Sequence, residues 1–376
     1  MRALIAIDKF KGSLTATQVA TAIQQALGRC DATWTCDLCP IADGGEGTVD
    51  AIVTALKGQW LAAPAHDALG RPIAAPYGIV QHAGISQAVM EMSSASGLAM
   101  VSDLPPDPAR ASTFGTGEML RHAAAQGVGQ ILIGIGGSAT NDGGLGMASA
   151  LGWRALDAAG NQITDLPAAA EKIATLQPPP NLNLPPIVVA CDVTNPLLGP
   201  TGASAVYGPQ KGVQDVPFFE NRLRHIADLA GKHSAPELRD TPGAGAAGGL
   251  GFGLMAFAGG TLASGFQIIA DLTDLRARIA AADIVITGEG RLDSQTLHGK
   301  GPHGVALLAR ELGRPVVAIA GGLEDVPLLE AHFDLLLATK PPAMSLADAI
   351  QAGTRLIEET VEQHAARFME LAQNRR

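Results

Sequence analysis

The sequence predicts an α/β fold, with a doubly wound, mostly parallel sheet in one domain and a second, mixed α/β domain formed by insertions. Three observations support this prediction. Short apolar runs alternate with segments of helical periodicity. The alternation occurs in three blocks, separated by two stretches of different character. The chain also has 376 residues, more than one ordinary core holds, which favours about two domains.

The predicted strands are short, continuous apolar runs, a pattern typical of strands that are buried on both faces of a parallel sheet. Those assigned to the parallel sheet are 3–8, 34–42, 130–137, 283–290, 315–322 and 334–339.

The segments between these strands have the apolar spacing of amphipathic helices. The first helix, 15–28, begins at a capping box formed by Thr15 and Gln18 and ends at Gly28. The later predicted helices are 46–58, 115–127, 272–282, 303–313, 326–333 and one that begins at Ser345.

Two insertions interrupt this series. Residues 60–92 contain short runs separated by turn signals at 69–70 and 83–84, which predicts antiparallel strands. The second insertion is mixed and contains one clear buried strand, 187–192. We therefore expect a parallel-sheet domain of residues 1–59, 105–152 and 273–376, and an inserted domain of residues 60–104 and 153–272.

Composition excludes several classes of partner. The net charge of −10 argues against nucleic acid and anionic membranes. Residues 241–270 carry no charge, but their many glycines favour a buried loop and helix over a membrane span. The start of the chain does not resemble a signal peptide. Cys36 and Cys39 lack a second pair for zinc, so we expect reduced cysteines and a cytoplasmic location.

Glycine-rich or charged clusters follow the predicted strands of the parallel sheet. Carboxyl ends of parallel strands meet at one edge, where open α/β sheets bind ligands. One such cluster alone is equally typical of an ordinary strand-to-helix turn, but several on one edge favour a binding site. The clusters are 8–13, 43–47, 134–142, 287–294 and 321–322.

The clusters combine carboxylates with lysines and arginines, as phosphate chemistry requires. Carboxylates bind Mg²⁺, and cations neutralise phosphate oxygens. The inserted domain has its own cluster at 190–212, where Asp192 ends an apolar strand. A structural turn is the other interpretation of that cluster.

Two alternative functions belong to other classes. Gly134, Gly136 and Ala139 fit a dinucleotide-binding G-x-G-x-x-A, which would indicate an NAD-dependent oxidoreductase. However, no predicted strand ends at Asp157, where the ribose-binding acid would be needed. A ligand sensor without catalytic activity is the other alternative, and the many convergent charged groups disfavour it.

Eight motifs together resemble the type 1 glycerate kinase family. They are DKFKGSLTA (8–16), PIADGGEGT (40–48), GTGE (115–118), IGIGGSATNDGG (133–144), ACDVTNPLLGPTGAS (190–204), YGPQKG (207–212), PGAGAAGGLG (242–251) and VITGEGRLDSQTLHGK (285–300). The resemblance implies an ATP- and Mg²⁺-dependent kinase that converts D-glycerate to 2-phosphoglycerate, with the active site in a cleft between two α/β domains. A glycerate 3-kinase producing 3-phosphoglycerate is the alternative within this class. The expected partners are small-molecule substrates, and the expected state is a monomer or a homodimer.

Within this resemblance, three residues are the expected catalytic groups. Asp192 would accept the proton of the glycerate hydroxyl, and Lys11 and Arg291 would bind phosphate or the glycerate carboxylate. The expected Mg²⁺ ligands are Asp43, Asp142, Glu289 and Asp293. The expected residues for binding substrate or nucleotide are Ser13, Gly134, Gly136, Gly137, Ser138, Thr140, Asn141, Asn195, Lys211, Gly288, Gly290 and Lys300.

Overall fold

The computed structural model describes residues 1–41, 47–234, 236–297 and 301–373. The chain divides into two compact units. Unit 1 comprises Met1–Asp43, Asp50–Ala55 and Phe266–Arg376, and unit 2 comprises Gly44–Val49 and Leu56–Gly265. Among the described helices, none combines the length and the apolar character needed to cross a membrane.

The strands in chain order are β1 (Arg2–Ile5), β2 (Thr35–Leu38), β3 (Gln59–His66), β4 (Pro72–His82), β5 (Ile85–Glu91), β6 (Gln130–Gly134), β7 (Arg154–Leu156), β8 (Thr175–Gln177), β9 (Ile187–Ala190), β10 (Thr261–Ala263), β11 (Ile284–Thr287), β12 (Arg291–Leu292), β13 (Val316–Ala320), β14 (Gly322–Leu323) and β15 (Leu335–Ala338).

The helices in chain order are α1 (Ala16–Cys30), α2 (Thr48–Ala55), α3 (Ser93–Ser96), α4 (Phe114–Ala125), α5 (Leu145–Ala150), α6 (Ala203–Tyr207), α7 (Val216–Ala230), α8 (Ala246–Ala258), α9 (Gly265–Leu272), α10 (Leu275–Ala281), α11 (Gly301–Glu311), α12 (Val326–Leu329), α13 (Leu346–Gln351) and α14 (Gly353–Gln373).

Unit 1 contains the predicted parallel sheet. Its strands are arranged β15-β13-β11-β1-β2, and every adjacent pair is parallel. Apolar cores lie on both faces, which explains why the strand sequences are continuously apolar. The predicted capping box of Thr15 and Gln18 is present at the start of α1, and Ser345 caps α13. The predicted α/β class is confirmed.

Unit 2 contains a mixed sheet with strand order β10-β9-β6-β5-β4-β3. The predicted antiparallel strands of the first insertion are β3, β4 and β5, and β5, β6, β9 and β10 then run parallel. The corresponding ends of the four parallel strands lie side by side, because Glu91, Gly134, Ala190 and Ala263 are paired in register. Unit 2 therefore has a parallel carboxyl edge of its own.

The expected domain boundaries need several corrections. Residues 56–59, expected in the parallel-sheet domain, belong to unit 2, and residues 266–272, expected in the inserted domain, belong to unit 1. Residues 105–152, expected in the domain of the first strand, belong to unit 2. The reason is strand pairing: β6 lies between β5 and β9 in the six-stranded sheet of unit 2. The expected strands are also longer than the observed ones. The strand expected over 34–42, for example, is observed as β2, which comprises Thr35–Leu38.

Candidate functional site

The carboxyl edge of the unit 1 sheet forms a pocket of about 490 Å³. Lys11 and Ser13 follow β1, Gly290 and Arg291 follow β11, and all four line the pocket. Ser13 Oγ donates a hydrogen bond of 2.9 Å to the carbonyl oxygen of Ile350 in α13. The predicted gathering at one edge is therefore observed for clusters 8–13, 287–294 and 321–322, whereas cluster 134–142 follows β6 and belongs to the sheet of unit 2.

Gly288 lies at the point where β11 leaves the sheet. Its φ of +151° belongs to a region that side-chain-bearing residues rarely adopt, and an added Cβ would lie 1.7 Å from the carbonyl oxygen of Ile319. Its carbonyl accepts a hydrogen bond of 2.9 Å from the amide of Asp8. The glycine is thus explained by close packing of two neighbouring strand ends, and no ligand is needed to account for it.

The acidic side chain of Glu324 lines this pocket, and Glu289 and Asp293 lie next to its lining residues Gly290 and Arg291 in the chain. Thr296 Oγ1 donates to Glu289 Oε1 at 2.8 Å and accepts from the backbone amide of Asp293 at 3.2 Å, so one threonine connects the two acidic residues. Arg291 forms ion pairs with Glu324 and, at 3.5 Å, with Asp293. Within the described ranges no three His, Cys, Asp or Glu side chains are grouped so as to hold a metal. The predicted Mg²⁺ ligand Asp43 and the predicted substrate-binding residue Lys300 lie outside the described residues.

The carboxyl edge of unit 2 positions Asp192. This residue follows β9, and its Oδ1 accepts hydrogen bonds from Ser264 Oγ at 2.8 Å and from the amide of Gly265 at 2.9 Å. Both donors follow β10, the parallel neighbour of β9. The carboxylate of Asp192 is therefore held at the strand ends, as the sequence predicts.

The glycine-rich loop after β6 is divided into an accessible part and a buried part. Gly136 is half-buried and Gly137 is exposed, whereas Ser138, Thr140 and Asn141 are buried. The buried part is attached to α6, because Asn141 Nδ2 donates a hydrogen bond of 2.9 Å to Ser204 Oγ. Only Gly136 and Gly137 are accessible, and as glycines they can offer a ligand their backbone amides but no side chain. The burial of Ser138, Thr140 and Asn141 does not support direct contact of their side chains with a ligand.

Lys211 supports the same loop from inside unit 2. The side chain is 2% exposed, and its Nζ donates to Ser138 Oγ at 2.6 Å and to the carbonyl oxygen of Thr140 at 2.7 Å. Burial lowers the pKa of Lys211 to about 7, and the charge of Asp142 acts in the opposite direction. Short bonds to two oxygen acceptors suit the ammonium form. Lys211, predicted as a ligand-binding cation, therefore holds the loop in place.

Asp142 is fully buried and engaged by the protein itself. Oδ2 accepts from Thr113 N at 2.9 Å, Thr113 Oγ1 at 2.8 Å and Gly146 N at 3.1 Å, and Oδ1 accepts from Gly144 N at 3.1 Å. Burial raises the pKa of Asp142, against the effect of these four hydrogen bonds. Four donors match the acceptor capacity of one carboxylate. We therefore remove Asp142 from the predicted Mg²⁺ ligands.

A second glycine-rich segment explains the last glycines of the loop. An added Cβ at Gly248 would lie 1.9 Å from the carbonyl oxygen of Thr140, and the amide of Gly143 donates to the carbonyl of Gly248 at 3.0 Å. The two backbones therefore approach so closely at this point that position 248 has no room for a side chain. The uncharged stretch 241–270 is thus the packing partner of this loop, consistent with the predicted buried loop and helix α8.

Asn195 has a similar structural function in the cluster after β9. Its Nδ2 donates to the carbonyl oxygen of Thr201 at 2.8 Å, and its Oδ1 accepts from the hydroxyl of Tyr207 at 2.6 Å. Both ends of the amide are therefore used to hold the loop between β9 and α6.

Replacing Lys211 by methionine is expected to loosen the glycine-rich loop. Methionine keeps most of the apolar stem but leaves the Thr140 carbonyl without its donor, at a cost of about 2 kcal/mol. Hydrogen exchange of amides 136–142 should accelerate, while exchange in unit 1 stays unchanged. Lys232→Met, at an exposed position of unit 2, is the control. Equal exchange in both variants would contradict the supporting role of Lys211.

The predicted site residues did not include Lys340, Glu324 or the residues of helix α13, which also line the unit 1 pocket. A signal for Lys340 was present, because it follows β15 just as Lys11 follows β1. Glu324 carried a similar signal, because it directly follows β14 and the glycine cluster 321–322. Helix α13 carried none, since it does not begin at a strand end.

Comparisons with known proteins agree with one another. Residues 3–369 match the sequence profile of the Glycerate kinase family. A protein of Halalkalibacterium halodurans named Glycerate kinase is 43% identical over 95% of both chains. A protein of Escherichia coli named Glycerate 2-kinase is 43% identical over 88% of both chains. A crystal structure from Salmonella typhimurium LT2, provisionally named glycerate kinase 2, superimposes with a TM-score of 0.86 at 42% identity over 99% of both chains.

Proposed function

The chain belongs to the glycerate kinase family, and we propose that it catalyses the ATP- and Mg²⁺-dependent phosphorylation of D-glycerate to 2-phosphoglycerate in the cytoplasm. The observation that carries the choice of product is the 43% identity to the Escherichia coli protein named Glycerate 2-kinase. The residues of the two carboxyl edges supply the chemical groups that such a reaction needs.

The unit 1 edge fits a magnesium-bound nucleotide. Mg²⁺ is usually bound by one or two carboxylates together with substrate phosphates, so it does not require a complete protein cage. Glu289 and Asp293 offer two such carboxylates, and Thr296 connects the Glu289 carboxylate to the backbone amide of Asp293. Lys11 and Arg291, at the pocket, offer cations for phosphate oxygens. When bound, the ion would neutralise charge on the transferred phosphoryl group.

The proposed reaction joins the 2-hydroxyl oxygen of D-glycerate to the γ-phosphorus of ATP and breaks the bond between that phosphorus and its bridging oxygen, releasing ADP. We assign the hydroxyl proton to the carboxylate of Asp192, which is oriented by Ser264 and Gly265. The accessible loop residues, half-buried Gly136 and exposed Gly137, offer backbone amides for an oxyanion. Catalysis in such a reaction rests mainly on positioning and charge stabilisation.

The test is incubation of the purified protein with ATP, Mg²⁺ and D-glycerate, followed by phosphorus NMR. We expect the 2-phosphoglycerate resonance, and no product when Mg²⁺ is removed by a chelator. A 3-phosphoglycerate resonance would contradict the proposed position of transfer. Absence of any phosphorylated glycerate with wild-type protein would contradict the proposed activity as a whole.

A further inference from the structure

The unit 1 pocket has an apolar wall that the chemistry of glycerate does not use. Phe10 and Leu323 line it together with Leu346 and Ile350 of α13. Leu346 is 68% exposed and Ile350 is 37% exposed, and their spacing of four residues puts them on the same face of the helix. Exposed aliphatic side chains grouped at a pocket typically mark a binding surface.

The same pocket is rich in cations. Lys11, Arg291 and Lys340 line it, and Glu324 is an acidic side chain among them. Lys340 Nζ donates to the carbonyl oxygen of Met344 at 3.0 Å, a bond that holds the ammonium at the loop before α13. A second, longer bond of 3.4 Å goes to the carbonyl oxygen of Pro341. An ammonium has three donors, so one is left for a ligand. The pocket therefore favours an anion that also has an apolar part.

These two properties distinguish between the substrates of a kinase. Every carbon of D-glycerate bears oxygen, so this substrate gains little from an aliphatic wall. A nucleotide has a flat base that packs on aliphatic side chains and a chain of phosphates that carries several negative charges. Its ribose hydroxyls can donate hydrogen bonds to a carboxylate such as that of Glu324. The volume of about 490 Å³ lies within the range of small-molecule sites.

We propose that this pocket is the nucleotide site, with the base against Leu346 and Ile350 and the phosphates near Lys11, Arg291 and Lys340. Lys340 is thereby a third phosphate-binding residue. The proposal rests on the proposed function for the identity of the nucleotide. It further implies that unit 1 supplies the nucleotide contacts through α13, a helix that is tied to the loop after β1 by the Ser13–Ile350 hydrogen bond.

The test separates the base from the phosphates by titrating the full chain calorimetrically with ADP and with pyrophosphate. Leu346→Ala should weaken ADP binding about fivefold, because part of the apolar contact is lost, and leave pyrophosphate binding unchanged. Lys340→Met should weaken both ligands about tenfold. Leu328→Ala, an exposed leucine of α12 outside the pocket, is the matched control and should change neither.

Unchanged ADP binding in Leu346→Ala would overturn the placement of the base, and unchanged pyrophosphate binding in Lys340→Met would overturn the role of Lys340. Because Leu346 is largely exposed, its substitution leaves the fold intact; a melting curve verifies this for both variants. The NMR product assay keeps the two proposals apart. If the wild type forms product but both variants bind ADP as tightly as the wild type, only the proposed nucleotide site is rejected. If the variants show the expected binding pattern but the wild type forms no product, only the proposed activity is rejected.

Discussion

Gly288→Ala is expected to lower the free energy of unfolding of unit 1 by about 3–5 kcal/mol. The new Cβ would lie 1.7 Å from the carbonyl oxygen of Ile319, and the residue would keep a φ of +151°. Ile319 cannot move away cheaply, because β13 is paired with β11 on one side and β15 on the other. Overpacking and a strained φ each cost about 1–3 kcal/mol, and here they act together.

The measurement is a urea titration followed by hydrogen exchange of peptides from β11 and β13. Gly28→Ala provides the control, since it makes the same chemical change inside α1, where an added Cβ meets nothing within 4 Å. That variant should be stabilised by up to about 1 kcal/mol. If Gly288→Ala unfolds at the same urea concentration as the wild type, the close approach of the two strand ends described above is incorrect.

The parallel sheet of unit 1 could be predicted because its strands are buried on both faces and therefore appear as continuous apolar runs. The rule that ligand groups follow the carboxyl ends then brought Lys11, Gly290 and Arg291 together correctly. The same rule applied to β15 identifies Lys340. Local signals of this kind act within a few residues, so they are visible in one sequence.

The assignment of each strand to one of the two sheets was harder to predict from the sequence. The apolar run of β6 fits any buried parallel strand, and its pairing with β5 and β9 depends on residues far away in the chain. The same limit applies to Lys211 and Asp142. In the sequence, a lysine or an aspartate beside glycines looks the same whether its side chain faces solvent and binds a ligand or is buried and stabilises a loop. Only burial and hydrogen-bond partners distinguish the two cases.

Asp192→Asn is expected to reduce kcat about 100-fold or more while leaving the fold and ATP binding intact. The asparagine side chain has nearly the same shape, and its Oδ1 can accept the same hydrogen bonds from Ser264 and Gly265. It cannot accept the proton of the glycerate hydroxyl. The loss should therefore match the usual contribution of a positioned general base, about 10²–10⁴-fold.

Steady-state kinetics at saturating ATP and D-glycerate measure this effect, with a melting curve to verify folding. Asp157→Asn is the control, because Asp157 also accepts backbone hydrogen bonds in a turn of unit 2, from Ala159 and Asn161, and has no proposed role in the reaction. Its kcat should equal that of the wild type. Partial rescue of Asp192→Asn by a higher Mg²⁺ concentration would instead identify Asp192 as a metal ligand. If kcat stays within a few-fold of the wild type, Asp192 is a turn residue whose function is to accept its two hydrogen bonds.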